Sequence, residues 1–98
     1  MASFTIRIVL HEANSDHYQD LHDRMQLDMG ALRTIQAGSV TYDLPDGEYI
    51  MSSQSTCSDV CALALKTASK VKAKPTPSVL VTESVNRSFI LRPVPGDS

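Results

Sequence analysis

The feature that most limits what this chain can become is the order in which its hydrophobic period changes. Over residues 4–10, Phe4, Ile6, Ile8 and Leu10 alternate with Thr5, Arg7 and Val9, the two-residue period of a strand with one buried face. Tyr18, Leu21, Met25, Met29 and Leu32 then recur at three- and four-residue spacing, the period of a helix. Asn14-Ser15 supplies side-chain acceptors for its first turn, Asp16 places negative charge where the dipole favours it, and Gly30 suits a left-handed end. Residues 32–37 and 40–44 are β-prone around Gly38-Ser39 and read as one bulged strand or two short ones, and Pro45-Asp46-Gly47 is a turn signature leading to a returning partner strand at 48–53. Residues 32–53 therefore read as a hairpin.

Ser55-Thr56 can cap a second helix over 57–71, with Val60, Cys61, Ala64, Ala68 and Val71 as its apolar stripe and Leu65 widening it. Lys74-Pro75-Thr76-Pro77 ends that helix, residues 78–82 form a strongly β-prone run, and 88–92 read as an additional C-terminal strand. The resulting β-α-β-β-α-β order belongs to the α+β class, and its most populated solution is the ferredoxin-like two-layer sandwich. A chain of 98 residues suits one such domain, here residues 1–92, with 93–98 as a frayed tail. Both helices would cover one sheet face and leave Thr5, Arg7 and Val9 on an open platform, a surface that commonly binds or dimerises. A homodimer is expected, with the strand at 88–92 as its mediator.

Charge excludes a generic nucleic-acid binder, since the chain carries a net −2. The distribution is uneven. Residues 1–60 hold three arginines against nine carboxylates, a net of −6, whereas 61–98 hold six basic side chains against two acidic ones, a net of +4. One end of the fold is thus basic, either as an ordinary solvated helix end or as a guide for a phosphate backbone. No apolar run approaches the roughly 18 residues a membrane helix needs, and the first residues open directly into a strand pattern, so neither a membrane span nor a signal peptide is expected. Cys57 and Cys61 lie four apart with parallel Cβ vectors and no nearby histidine, which makes them small free thiols suited to a reducing cytoplasm.

No local motif states a chemistry. His17 and His22 are five apart on the first helix, about 140° round its axis, and cannot share a metal in the i,i+4 manner. His22 lies at the edge of the buried stripe, where a packed histidine competes with a general base. Asp16, Asp20 and Asp23 share a face that reads as a solvated acidic surface or as a magnesium site, and Asp20 stands four before Arg24, the favourable ion-pair spacing. No Gly-rich phosphate loop, paired CxxC or RNA-recognition aromatic motif is present, and no small-molecule cofactor is expected.

The dispersed pattern says more. Residues 4–10, then Tyr18-x-x-Leu21, Arg24-Met25 and Asp28-Met29, then Leu44-Pro45-Asp46-Gly47-Glu48-Tyr49 leading through Ser52-Ser53 to Ser58-Asp59-Val60, resemble the GhoS family of small bacterial proteins over residues 4–83. The resemblance implies a ferredoxin-like domain akin to the small nuclease subunit of CRISPR adaptation. It also implies the antitoxin of a type V toxin–antitoxin pair, an endoribonuclease that cleaves the toxin's messenger RNA. It points to an arginine on the first helix, where Arg24 is the one basic residue; aligning on Asp28-Met29 instead puts Asp23 in that place. In a metal-independent mechanism Arg24 would stabilise the phosphate while His17, His22 or Asp20 exchange protons. The RNA backbone would meet Arg7, Arg33, Lys70, Lys72 and Lys74. The competing expectation is a non-catalytic dimeric module of the same fold, accessory or phage-borne, that binds protein or RNA.

Overall fold

The computed structural model describes residues 2–85 and 90–94. Its elements are β1 (Ala2–Val9), α1 (Ser15–Met29), β2 (Thr34–Ala37), β3 (Val40–Asp43), β4 (Glu48–Ser53), α2 (Cys57–Val71) and β5 (Ser78–Ser84). The class is α+β. β1 lies at the centre of a three-stranded sheet ordered β4-β1-β5, antiparallel to both neighbours, with Ile6 opposite Tyr49 on one side and Val81 on the other.

The alternation of β1 is realised as burial. Phe4, Ile6, Ile8 and Leu10 are enclosed, while Arg7 and Val9 on the opposite face are exposed. The core is closed by Leu21 and Met25 of α1, by Val60, Ala64 and Ala68 of α2, and by Tyr49 of β4. Each large side chain so buried contributes about 1.5–3 kcal/mol, and the small residues of α2 let it approach the sheet and α1 closely. Thr67 is also fully buried, and Leu65, expected to widen the stripe, is 38% exposed.

The helix ends are those the sequence specifies. Asn14 Oδ1 accepts from the His17 backbone N–H at 3.1 Å, and His17 Nδ1 accepts from the Asn14 N–H at 3.1 Å, a reciprocal capping box. Gly30 ends α1 in the left-handed region, and Thr56 Oγ1 caps α2 through the Asp59 N–H at 3.1 Å. Among the described residues no helix is long and apolar enough to cross a membrane.

Of the two readings of residues 32–44, the structure has two short strands, and the expected hairpin with 48–53 gives way to another pairing. Residues 34–43 close on themselves as a two-stranded sheet, β2 with β3, around Gly38-Ser39, while β4 joins β1. Among the described residues one antiparallel bridge, Leu32 with Ile50, links the segment before β2 to β4. Residues 40–43 lie between two short closures, at 38–39 and at 45–47, and pair across the first, while β4 takes the edge of β1 instead. The outer edge of β3 receives the C-terminal segment: the Asp43 N–H donates to Arg92 O at 3.0 Å, the Val94 N–H donates to Thr41 O at 2.9 Å, and Tyr42 bridges Pro93. Of the strand expected at 88–92, residues 88 and 89 lie outside the described residues and 90–92 form no regular strand. Pro93 and Val94, expected in the tail, lie against β3, and 95–98 are outside the described residues.

The Pro45-Asp46-Gly47 turn closes against β1. The Ile8 N–H donates to Gly47 O at 2.7 Å, Gly47 has φ +82°, and a Cβ placed there would stand 2.3 Å from Ile8 O. Gly47→Ala is therefore expected to cost about 3 kcal/mol from left-handed strain and backbone collision together. Gly30→Ala, with φ +66° and open space around the new methyl, should cost only about 1 kcal/mol. Urea unfolding of the two variants measures the difference.

Candidate functional site

α1 turns Leu21 and Met25 into the core, which leaves His22 at the rim of the buried face with its side chain 10% exposed. Tyr49 enters from β4 and is fully buried, so its hydroxyl requires a partner. His22 Nδ1 meets Tyr49 Oη at 2.6 Å, the rings tilted by 60°. On the other side of the imidazole, Nε2 lies 3.8 Å from Asp46 Oδ1, outside hydrogen-bond distance. Asp46 in turn pairs with Arg33 Nη2 at 3.0 Å, and the same Nη2 donates to Leu44 O at 3.3 Å. Arg33 Nε is buried without a partner among the described residues.

Burial holds the His22 pKa below its ordinary value, and the Arg33 charge pushes in the same direction against Asp46 and Asp23. The ring is neutral at pH 7. With Nδ1 fixed on Tyr49, Nε2 is the nitrogen left for proton exchange. Burial likewise pushes the Tyr49 phenol well above its usual range, so it remains protonated.

His22 and Arg33 also line one cleft of about 340 Å³, together with Gln19, Asp23 and Gln26 of α1 and Thr34 at the start of β2. A fixed cation, a neutral imidazole and several amide or carboxylate groups thus face one volume. Such a set can hold an anion and exchange a proton beside it.

The residues singled out in the sequence are distributed as follows. His17 serves the α1 cap. Arg24 pairs with Asp20, Nε to Oδ1 at 3.3 Å, as the i,i+4 spacing predicts. Two positions on a helix differ by about 200°, so Arg24 and His22 leave α1 on opposite sides, and His17 stands roughly 10 Å along the axis from Arg24. Those three do not converge; His22 converges with Arg33 instead. Arg7 is exposed on the open sheet face between Glu48 and Leu80 in register. Lys70 Nζ bonds Asp28 Oδ2 at 3.0 Å, and Lys72 Nζ donates to Lys74 O, so part of the basic end is already paired within the chain. Among the described residues, no three His, Cys, Asp or Glu side chains gather to hold a metal ion, and Asp16, Asp20 and Asp23 form no such group.

Sequence reasoning missed Tyr49 and Asp46. The Pro45-Asp46-Gly47 turn marked the position of Asp46, but nothing local ties Tyr49 to a histidine 27 residues earlier. Comparison with known proteins adds no assignment, since no family model, curated protein or solved structure matches the chain.

A depressed histidine pKa makes stability pH-dependent. The unfolded chain takes up a proton near the ordinary value of 6.5 while folded His22 does not, so its contribution is present above that pH and is lost as pH falls below it. The urea midpoint of the wild type is expected to fall more between about pH 7.5 and pH 5.5 than that of His22→Gln. Tyr49→Phe, which strips Nδ1 of its partner, should cost about 1–2 kcal/mol in the same assay at neutral pH.

Proposed function

We propose that this chain is a GhoS-like endoribonuclease antitoxin of ferredoxin-like fold. In this reading it works in the cytoplasm as a homodimer and cleaves its toxin's messenger RNA without a metal. The observation that carries the reading is the meeting of His22 and Arg33 at one cleft from separate segments of the chain. Cleavage of RNA by its own 2′-hydroxyl needs a group that takes a proton, a cation for the phosphorane and a group that returns a proton. Arg33 is the cation, neutral His22 Nε2 takes the 2′-hydroxyl proton and water returns one to the leaving 5′-oxygen, with Asp46 holding the guanidinium in place. Arg24 remains the resemblance's candidate, on another side of α1. The β4-β1-β5 order, with the Leu32–Ile50 bridge in place of an outer strand, supports the ferredoxin-like fold.

A second reading, a non-catalytic binding module, is favoured by the ion pairs themselves. Arg24, Arg33 and Lys70 each meet a carboxylate, which lowers the positive charge they offer to RNA.

Incubating purified protein with a mixed RNA pool, with and without EDTA, separates the two. Site-selective cuts that survive EDTA and fall about a hundredfold in His22→Gln and in Arg33→Gln are expected. A loss confined to Arg24→Ala would move the chemistry to the outer side of α1. Intact RNA would put the non-catalytic module in place of the nuclease, an RNA binder where the RNA is retarded on a gel and a protein binder where it is not.

A further inference from the structure

We infer that the cleft beside α1 is a guanine-nucleotide subsite, in which Asp23 reads the base and Arg33 takes the adjoining phosphate; this rests on the reading of the cleft as an RNA site. Gln19, Asp23 and Gln26 succeed one another at four- and three-residue spacing, so they form one row along α1, and all three line the cleft. Seven residues of helix span roughly 10 Å, about the length of a purine nucleoside. Asp23 Oδ1 accepts a long bond from Gln19 Nε2 at 3.4 Å, and its carboxylate is exposed.

A carboxylate is acceptor-only and favours a ligand edge with two adjacent donors. Guanine alone among the four bases offers that edge, its N1–H beside its N2 amino group. Adenine, cytosine and uracil each place an acceptor next to their donor, which a carboxylate repels. The amides of Gln19 and Gln26 can serve the remaining donors and acceptors of the base. Apolar cover is at hand: Leu32 lines the cleft at 51% exposure, and Leu27, 84% exposed, lines an adjoining hollow with Asp23 and Gln26. A flat base can lie against such side chains and remove them from water.

In the same cleft Arg33 commits Nη2 to Leu44 O and Asp46, while a guanidinium carries five N–H donors. The cleft thus holds both a carboxylate and a guanidinium, the complement of a ligand with a donor-rich edge and an anionic group. The volume of about 340 Å³ is that of a nucleotide-sized site.

The test titrates isotope-labelled full-length protein with 5′-GMP, 5′-IMP, 5′-AMP and inorganic phosphate, following backbone amide shifts. GMP is expected to bind at least about tenfold more tightly than AMP, and IMP, which lacks the 2-amino group, to fall between them. Shifts should centre on residues 19–26 and 31–34. Asp23→Asn, an exposed change that keeps an oxygen for Gln19, should bring GMP and AMP to within about twofold, while Arg33→Gln weakens all three nucleotides alike. Equal affinity for every nucleotide, binding of phosphate as tight as GMP, or shifts away from the cleft would each overturn the inference. A parallel assay with guanine-containing and guanine-free oligoribonucleotides separates this failure from that of the wider reading. RNA bound or cut without regard to guanine sinks the subsite and leaves the RNA function, whereas GMP bound as expected with RNA neither bound nor cut keeps the subsite and sinks the RNA function.

Discussion

β1 has a partner along both edges and a buried face beneath two helices, and the remaining elements take their positions from it. Its inward residues, Phe4, Ile6 and Ile8, are almost wholly removed from water, so a slip of one residue would expose all of them and bury Thr5, Arg7 and Val9. The register with β4 fixes where Tyr49 enters the core, and the bond from the Ile8 N–H to Gly47 fixes the turn that carries Asp46. The polar cluster at the cleft is thus located by an apolar strand that contributes no polar side chain to it.

Within the cluster, energetic demand runs outward from the interior. A buried phenol hydroxyl must be paired, which recruits His22; a buried imidazole disfavours charge, which keeps His22 neutral beside Arg33. Asp46, far more exposed, balances the guanidinium at little desolvation cost because water still reaches it. The result is a cation and a neutral proton-exchanging ring held close together by one turn and one helix.

The elements whose identity is local were legible from composition and spacing. Asn14 and Thr56 announced helix starts, Gly30 a helix end, and the Phe4-Ile6-Ile8-Leu10 alternation the central strand. Choices between competing partners were not. Whether residues 40–43 pair back with 34–37 or forward with 48–53 depends on which of two short turns closes, and both choices leave the same β-prone pattern in the sequence. Leu65 and Thr67 show the same limit on α2, where packing against the sheet rather than hydropathy decides which of them is enclosed. At the site, His22 was visible as a rim residue of a helix, but its partnership with Tyr49 and Arg33 is a property of the folded contact map.

The pairing of residues 92–94 with β3 carries a consequence for how the molecule is made. β3 is synthesised half a chain earlier than the segment that hydrogen-bonds its outer edge. On the ribosome, β2 and β3 therefore emerge as an isolated two-stranded ribbon, a unit of marginal stability in water. β1 waits likewise for β5, so both sheets are completed by segments made long after the strands they pair with, a contact order that slows folding relative to a local hairpin.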